Sequence, residues 1–223
     1  MQIDIHNLNF SYGHRQVLTD LSLTVNPGDY VVIHGKNGSG KSTLAKCLLG
    51  FNPVKSGMIF YDHEDINTFS EWTQFGYVPQ EFEDFNYEFP VTVDELLTFS
   101  SIKNVTQSRR LKLLDQIGIL DLVNENINNL SGGQLQRVFI VRAMLNDPDV
   151  LILDEPAASI DRMNINFFYK AVNQLNLEGI TVILITHNES LNHLNYSHVL
   201  NLGTDLSYTY QTRKSCEIGG DDQ

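Results

Sequence analysis

Apolar and polar residues alternate through residues 2–10 and again through 17–25. In the second run Leu21, Leu23 and Val25 point one way while Ser22 and Thr24 point the other, the period of a half-buried strand. Tyr12, Gly13 and His14 occupy the turn between the two runs. Asn26-Pro27-Gly28-Asp29 is a turn sequence. It leads into Tyr30-Val31-Val32-Ile33-His34, a short strand rich in β-branched residues. Further short strands are predicted over 58–61 and 75–78, and buried strands over 150–153 and 181–185. Apolar residues at three- and four-residue spacing predict helices over 107–117 and 133–146. Two more helices are expected over 43–49, with Gly50 as its C-cap, and over 163–176. Thr92-Val93-Asp94-Glu95 has the form of a capping box, and opens a helix to about residue 100.

Strands that alternate with helices imply an α/β fold with a mostly parallel core sheet, preceded here by an N-terminal antiparallel β part. The block from about 85 to 145 is mostly helical and interrupts the alternation, which makes it an inserted helical lobe. A chain of 223 residues, at ~150 per domain, accommodates one domain with such a lobe, so residues 1–223 are expected to form a single unit. Residues 203–223 read as a polar tail whose last residues, Gly219 to Gln223, are expected to be mobile.

Fifteen basic against 27 acidic residues give a net charge of −12. That balance excludes a nucleic-acid binder working by phosphate neutralisation and direct adhesion to an anionic membrane. Cys47 and Cys216 are too few and too far apart for a disulfide framework, which points to a reducing compartment. The N-terminus has neither the basic region nor the apolar stretch of a signal peptide. Apolar runs of about five or six residues fall short of the ~20 that span a bilayer. A cytoplasmic protein is expected, with any membrane role carried by a partner. Seven histidines are scattered. His187, His193 and His198 are spaced by six and five, unlike a zinc-ligand pattern, so neither a structural nor a transported-metal site is expected.

Gly35-Lys36-Asn37-Gly38-Ser39-Gly40-Lys41-Ser42 fits G-x-x-x-x-G-K-[ST] between a strand and a helix, with Thr43 following. Glycines let the backbone wrap phosphates with N–H groups inward, and the helix from Lys41 turns its positive end to the anion. The Lys41 ammonium suits the β- and γ-phosphates and the Ser42 hydroxyl suits Mg²⁺. Val150-Leu151-Ile152-Leu153 then delivers Asp154 to the C-terminal edge of the sheet, where it can hold the Mg²⁺ shell through water. The adjacent Glu155 can polarise a water for in-line attack. In isolation Asp154-Glu155 also has a plainer reading as a helix-start or turn signal. Ser131 can cap a helix, and Gly132 and Gly133 leave room for an anion at its start.

Leu130-Ser131-Gly132-Gly133-Gln134, followed by Gln136-Arg137-Val138 and Arg142-Ala143, resembles the signature motif of the ABC ATPase family, about 90 positions after Lys41. The resemblance spans residues 3–202, with six motifs in order, and implies the ABC ATPase variant of the P-loop fold. It implies ATP hydrolysis with Mg²⁺, and a head-to-tail pair, either a homodimer or a pair with a second ATPase subunit. In such a pair Ser131, Gly132, Gly133 and Gln134 of one chain reach the nucleotide on the other. It further assigns Tyr12 to adenine stacking, Gln80 to sensing Mg²⁺ and γ-phosphate, Asp161 to the interface loop and His187 to the γ-phosphate. Taken alone, Tyr12 reads as a half-buried strand residue and His187 as structural or merely exposed. Around Asp161 the chain has Ala158-Ser159-Ile160 where the family more often has Ser-Ala-Leu, which bears on the coupling across the pair.

Residues 74–97, with Tyr77-Val78-Pro79-Gln80 and Phe89-Pro90-Val91-Thr92, resemble the zinc/manganese importer ATPases. This implies a subunit on the cytoplasmic face of the membrane, bound to an integral membrane permease through the Gln80–Pro90 region and linked indirectly to an extracellular solute-binding protein. There Phe82, Phe85, Tyr87 and Phe89 would anchor the permease, and Glu81, Glu83, Asp84 and Glu88 would meet its basic residues. A solvated acidic loop is the plainer reading of those side chains. ATPase subunits for another small solute (amino acid, siderophore, drug) and soluble non-transport ABC ATPases are the alternatives.

Overall fold

The computed structural model describes residues 1–80, 90–102, 105–156, 165–187 and 194–213. The N-terminal strands β1 (Ile3–Tyr12) and β2 (Arg15–Val25) form a hairpin, followed by β3 (Tyr30–Gly35) and helix α1 (Lys41–Leu48). Short strands β4 (Ile59–Tyr61), β5 (Glu64–Asp65) and β6 (Phe75–Val78) lead to the lobe helices α2 (Val93–Ser100), α3 (Gln107–Gln116) and α4 (Gly132–Met144). Strand β7 (Val150–Asp154), helix α5 (Ile165–Leu177), and strands β8 (Thr181–Thr186), β9 (His198–Leu202) and β10 (Tyr208–Thr212) complete the chain.

Two sheets result, one antiparallel in the order β2-β1-β4-β5 and one of six strands in the order β10-β9-β3-β8-β7-β6. The larger sheet is parallel except where β10 pairs with β9. Its inner strands are apolar on both faces. Val31, Ile33, Ile152, Ile183 and Ile185 pack with Leu44, Ala45 and Leu48 of α1 and with the antiparallel sheet. Val32, Leu151, Leu153, Val182 and Leu184 pack with α4 and α5 through Val138, Phe139, Phe168 and Val172. Burial of both faces explains why these strands read as continuous apolar runs. The lobe helices lie between β6 and β7, which are neighbours in the sheet, so the insertion leaves the core strand order intact. Arg110 fastens α3 to α2, donating through Nε and Nη2 to the two Asp94 carboxylate oxygens at 2.7 and 3.2 Å.

The expected architecture agrees with this fold, with local differences. Helix α1 begins at Lys41 rather than 43, and its C-cap is Leu49, with Gly50 one position further on in the left-handed region (φ +70°). Helix α4 spans Gly132–Met144 rather than 133–146. The polar tail contains a strand that polarity concealed. In β10, Tyr208 and Tyr210 donate their hydroxyls to the carbonyls of Asp20 and Thr24 at 3.2 and 3.0 Å, and Tyr210 stacks on His198. The residues after 213, and the aromatic–acidic segment 81–89, lie outside the described residues.

Candidate functional site

The loop after β3 is shaped by close approach. A Cβ at Gly35 would lie 2.4 Å from the Leu202 carbonyl oxygen and 2.6 Å from Ser39 Oγ. Gly40, at φ +97°, is the N-cap of α1 in a conformation that other residues avoid. Lys41 opens the helix and is 5% exposed. Its Nζ donates to the carbonyls of Gly35 (2.9 Å) and Lys36 (3.3 Å) and lies 3.4 Å from Glu155 Oε1.

The end of β7 supplies two carboxylates with different surroundings. Asp154 is 3% exposed and accepts a hydrogen bond from Ser42 Oγ at 3.3 Å. Burial raises its pKa, and the Ser42 hydrogen bond opposes that rise. Glu155 adopts a left-handed backbone (φ +48°), a costly conformation for a non-glycine residue, and its N–H donates to the Ile185 carbonyl at 3.0 Å. This turn aims its carboxylate at two partners, the Lys41 ammonium and Nδ1 of His187, with which Glu155 Oε2 is in direct contact. His187 follows β8, the sheet neighbour of β7, so two residues 32 positions apart meet at adjacent strand ends. Glu155 is buried, whereas the His187 side chain is 58% exposed.

A cavity of about 460 Å³ gathers half of the sequence-predicted residues. Tyr12, Asn37, Gly38, Gly40, Lys41, Ser42, Thr43, Gln80 and Glu155 line it. The volume lies in the ~300–1,000 Å³ range of small-molecule sites. Gly35 contributes its carbonyl to Lys41 from beneath. Ser39 does not line the cavity: it is buried, and its N–H donates to the Lys36 carbonyl at 3.2 Å. Ser131 caps α4 in a reciprocal box with Gln134, with Gly132 exposed beside it, and none of Ser131 to Gln134 reaches this cavity within the chain. Asp161 lies outside the described residues. Arg15 and Val17 also line the cavity, unforeseen. Arg15 pairs directly with Tyr12 across the hairpin, so the two-residue turn Gly13-His14 was the signal that places it there.

The donor set suits Mg²⁺. The Ser42 hydroxyl, the Asp154 carboxylate and the Gln80 amide are hard oxygen donors, too few to enclose an ion, as expected where phosphate oxygens and water complete the shell. Among the described residues no group of three or more His, Cys, Asp or Glu side chains forms a metal cage.

The burial of Asp154 comes at a cost to the fold. Because burial raises its folded pKa, the folded state binds the proton more tightly than the unfolded state, and ionisation lowers stability as pH rises through the folded value. Asp154→Asn is therefore expected to raise the Tm of the metal-free protein by the ~2–4 °C that about 1 kcal/mol produces in a chain of this size. The gain should be largest above the folded value, shrink as pH falls through it, vanish below the ordinary carboxylate value of about 4, and accompany loss of Mg²⁺-dependent hydrolysis. Scanning calorimetry across that range checks it. A gain independent of pH would refute the cause given.

A strand–loop–helix phosphate cradle with a buried lysine, a Ser–Asp pair for a divalent cation and a Glu–His pair at neighbouring strand ends defines a P-loop nucleoside-triphosphate hydrolase. The ABC transporter family model matches residues 18–158, and the chain belongs to that family. It is 33% identical over 216 residues to the zinc uptake system ATP-binding protein ZurA of Listeria innocua, covering 92% of this chain and 84% of that one. It is 37% identical over 196 residues to the glutamate/aspartate import ATP-binding protein GltL of Escherichia coli K12, covering 83% and 80%. The structure of CbiO1 from Clostridium perfringens, part of the ABC transporter complex CbiONQ, superposes with a TM-score of 0.80 at 27% identity over 91% and 84% of the two chains. The protein is an ATPase whose hydrolysis is coupled to transport. No helix among the described residues is long and apolar enough to cross a membrane.

Proposed function

We propose that residues 1–223 form one ABC ATPase domain that drives a membrane importer of zinc or manganese ions. The observation that carries the enzymatic part is the single cavity in which Lys41, Ser42, Gln80 and Glu155 converge at the C-terminal edge of the parallel sheet. The ATP triphosphate enters between the α1 N-terminus and Lys41, whose ammonium exchanges part of its contact with Glu155 for phosphate oxygens. Tyr12 offers a face to the adenine. Ser42, Asp154 and Gln80 would hold Mg²⁺, which would supply neutralisation of phosphate charge. Glu155 accepts the proton of the attacking water, and His187 orients the Glu155 carboxylate from Oε2.

Ser131 and Gly132, at the start of α4, are exposed and line no part of their own chain's cavity, which supports a pair of subunits in which each completes the other's site. Docking on an integral permease through the Gln80–Pro90 region, on the cytoplasmic face and next to an extracellular binding protein, follows from the same reading. Similarity to ZurA supports the metal cargo, and similarity to GltL favours the second reading, an amino-acid importer.

Elemental analysis of cells lacking the gene, grown in metal-poor medium, tests the cargo. Cellular zinc or manganese is expected to fall and to be restored by the wild-type gene but not by Glu155→Gln. Unchanged metals with impaired amino-acid uptake would overturn the metal reading in favour of the second.

A further inference from the structure

Tyr12 is 50% exposed at a hairpin turn, yet its ring is restrained from two sides. The Phe10 ring meets it edge-on, with centroids 5.0 Å apart and planes at 83°. At the far end of the ring, Asn52 Nδ2 donates a hydrogen bond to the Tyr12 hydroxyl at 3.0 Å. Asn52 is itself anchored where the chain leaves α1. Its backbone N–H donates to the Lys46 carbonyl at 3.1 Å. Helix α1 therefore meets the nucleotide cavity twice. Its first turn carries Lys41 and Ser42, and the segment beyond its last turn holds the aromatic ring that lines the same cavity.

We propose that Asn52 is a positioning residue for the base platform, acting through Tyr12 on ligands that carry a planar base as well as phosphates. The proposal rests on the reading of Tyr12 as the surface on which the base stacks. An untethered tyrosine at an exposed turn samples several rotamers, and base binding must then order it. The Asn52 amide sets the tilt of the ring beforehand and ties it to the helix that positions the phosphates, so the distance between base and phosphate subsites is built into one element. Loss of the tether should weaken ATP binding by about 3- to 10-fold, the range expected for ordering one side chain. It should leave phosphate binding and the chemical step untouched.

Calorimetric titration of the full chain with MgATP and, separately, with inorganic tripolyphosphate tests this. Asn52→Ala and Tyr12→Phe are each expected to weaken ATP about 3- to 10-fold, and the double variant no further, because both remove the same hydrogen bond. Tripolyphosphate affinity and kcat at saturating ATP should stay within about two-fold of wild type in Asn52→Ala. Losses that multiply in the double variant would overturn the proposal. So would a parallel loss of tripolyphosphate affinity in Asn52→Ala, since Asn52 would then be supporting the phosphate loop. Tyr12→Phe, at an exposed position, keeps the test decisive if Asn52→Ala folds poorly. Tyr12→Ala separates the premise from the inference. If it leaves ATP affinity intact, the base-platform reading fails and takes the proposal with it. If it weakens ATP while Asn52→Ala does not, the tether alone is refuted.

Discussion

Glu155→Gln is expected to bind ATP at least as tightly as the wild type and to hydrolyse it about 10²–10⁴-fold more slowly. The substitution keeps the size of the side chain and leaves the left-handed turn after β7 in place, since the Glu155 N–H still reaches the Ile185 carbonyl. What it removes is the acceptor of the water proton. An amide between Lys41 and His187 has no basic site at neutral pH. Binding improves for an electrostatic reason. Glu155 Oε1 competes for the Lys41 ammonium at 3.4 Å, and a neutral residue leaves that ammonium to the triphosphate. The variant is therefore expected to accumulate as an ATP-bound pair of subunits. Single-turnover hydrolysis, together with ATP titration, reads both effects. Turnover within a few-fold of wild type would refute Glu155 as the general base.

The second large effect is expected from Lys41→Ala. Its ammonium is buried, held by two loop carbonyls and a carboxylate, and positioned at the first residue of α1. A charged hydrogen bond to phosphate contributes about 1.5–3 kcal/mol, so ATP affinity should fall about 10- to 150-fold. Tripolyphosphate affinity should fall in parallel, because the contact is to phosphate and not to the base. This contrast separates Lys41 from Asn52. Removing the lysine also leaves the buried Glu155 carboxylate with His187 alone, so some loss of thermal stability should accompany the loss of binding. Unchanged ATP affinity would count against the phosphate-binding role.

These two residues differ in how openly the chain declares them. Lys41 sits in a contiguous motif whose chemistry is local, because the turn glycines, the helix start and the cation all lie within eight positions. Asp154 and Glu155 are nearly as open, since an apolar strand ending in acids has few other uses beside a phosphate loop. The pairing of Glu155 with His187, by contrast, depends on β7 and β8 being neighbours in the sheet, and strand order is not encoded in local spacing. Arg15 was hidden in the same way, by a hairpin register that sets it against Tyr12. Strand β10 escaped because its alternation is of tyrosines with polar residues, and the carbonyls that receive their hydroxyls belong to β2, some 186 positions earlier.

The sequence by itself determined most of the elements, the α/β class, the inserted lobe and the chemical identity of the phosphate site, because these depend on interactions within a few turns or a single strand. Only the tertiary structure decided which side chains meet. It brought Glu155 against Lys41 and His187, turned Ser39 away from the cavity, left the Ser131 helix start out of reach of its own phosphate loop and joined Asn52 to Tyr12. Each of those outcomes depends on long-range pairing of strands and packing of helices, where free energy is gained by burying surface shared between distant segments, and no local pattern records which segments will share it.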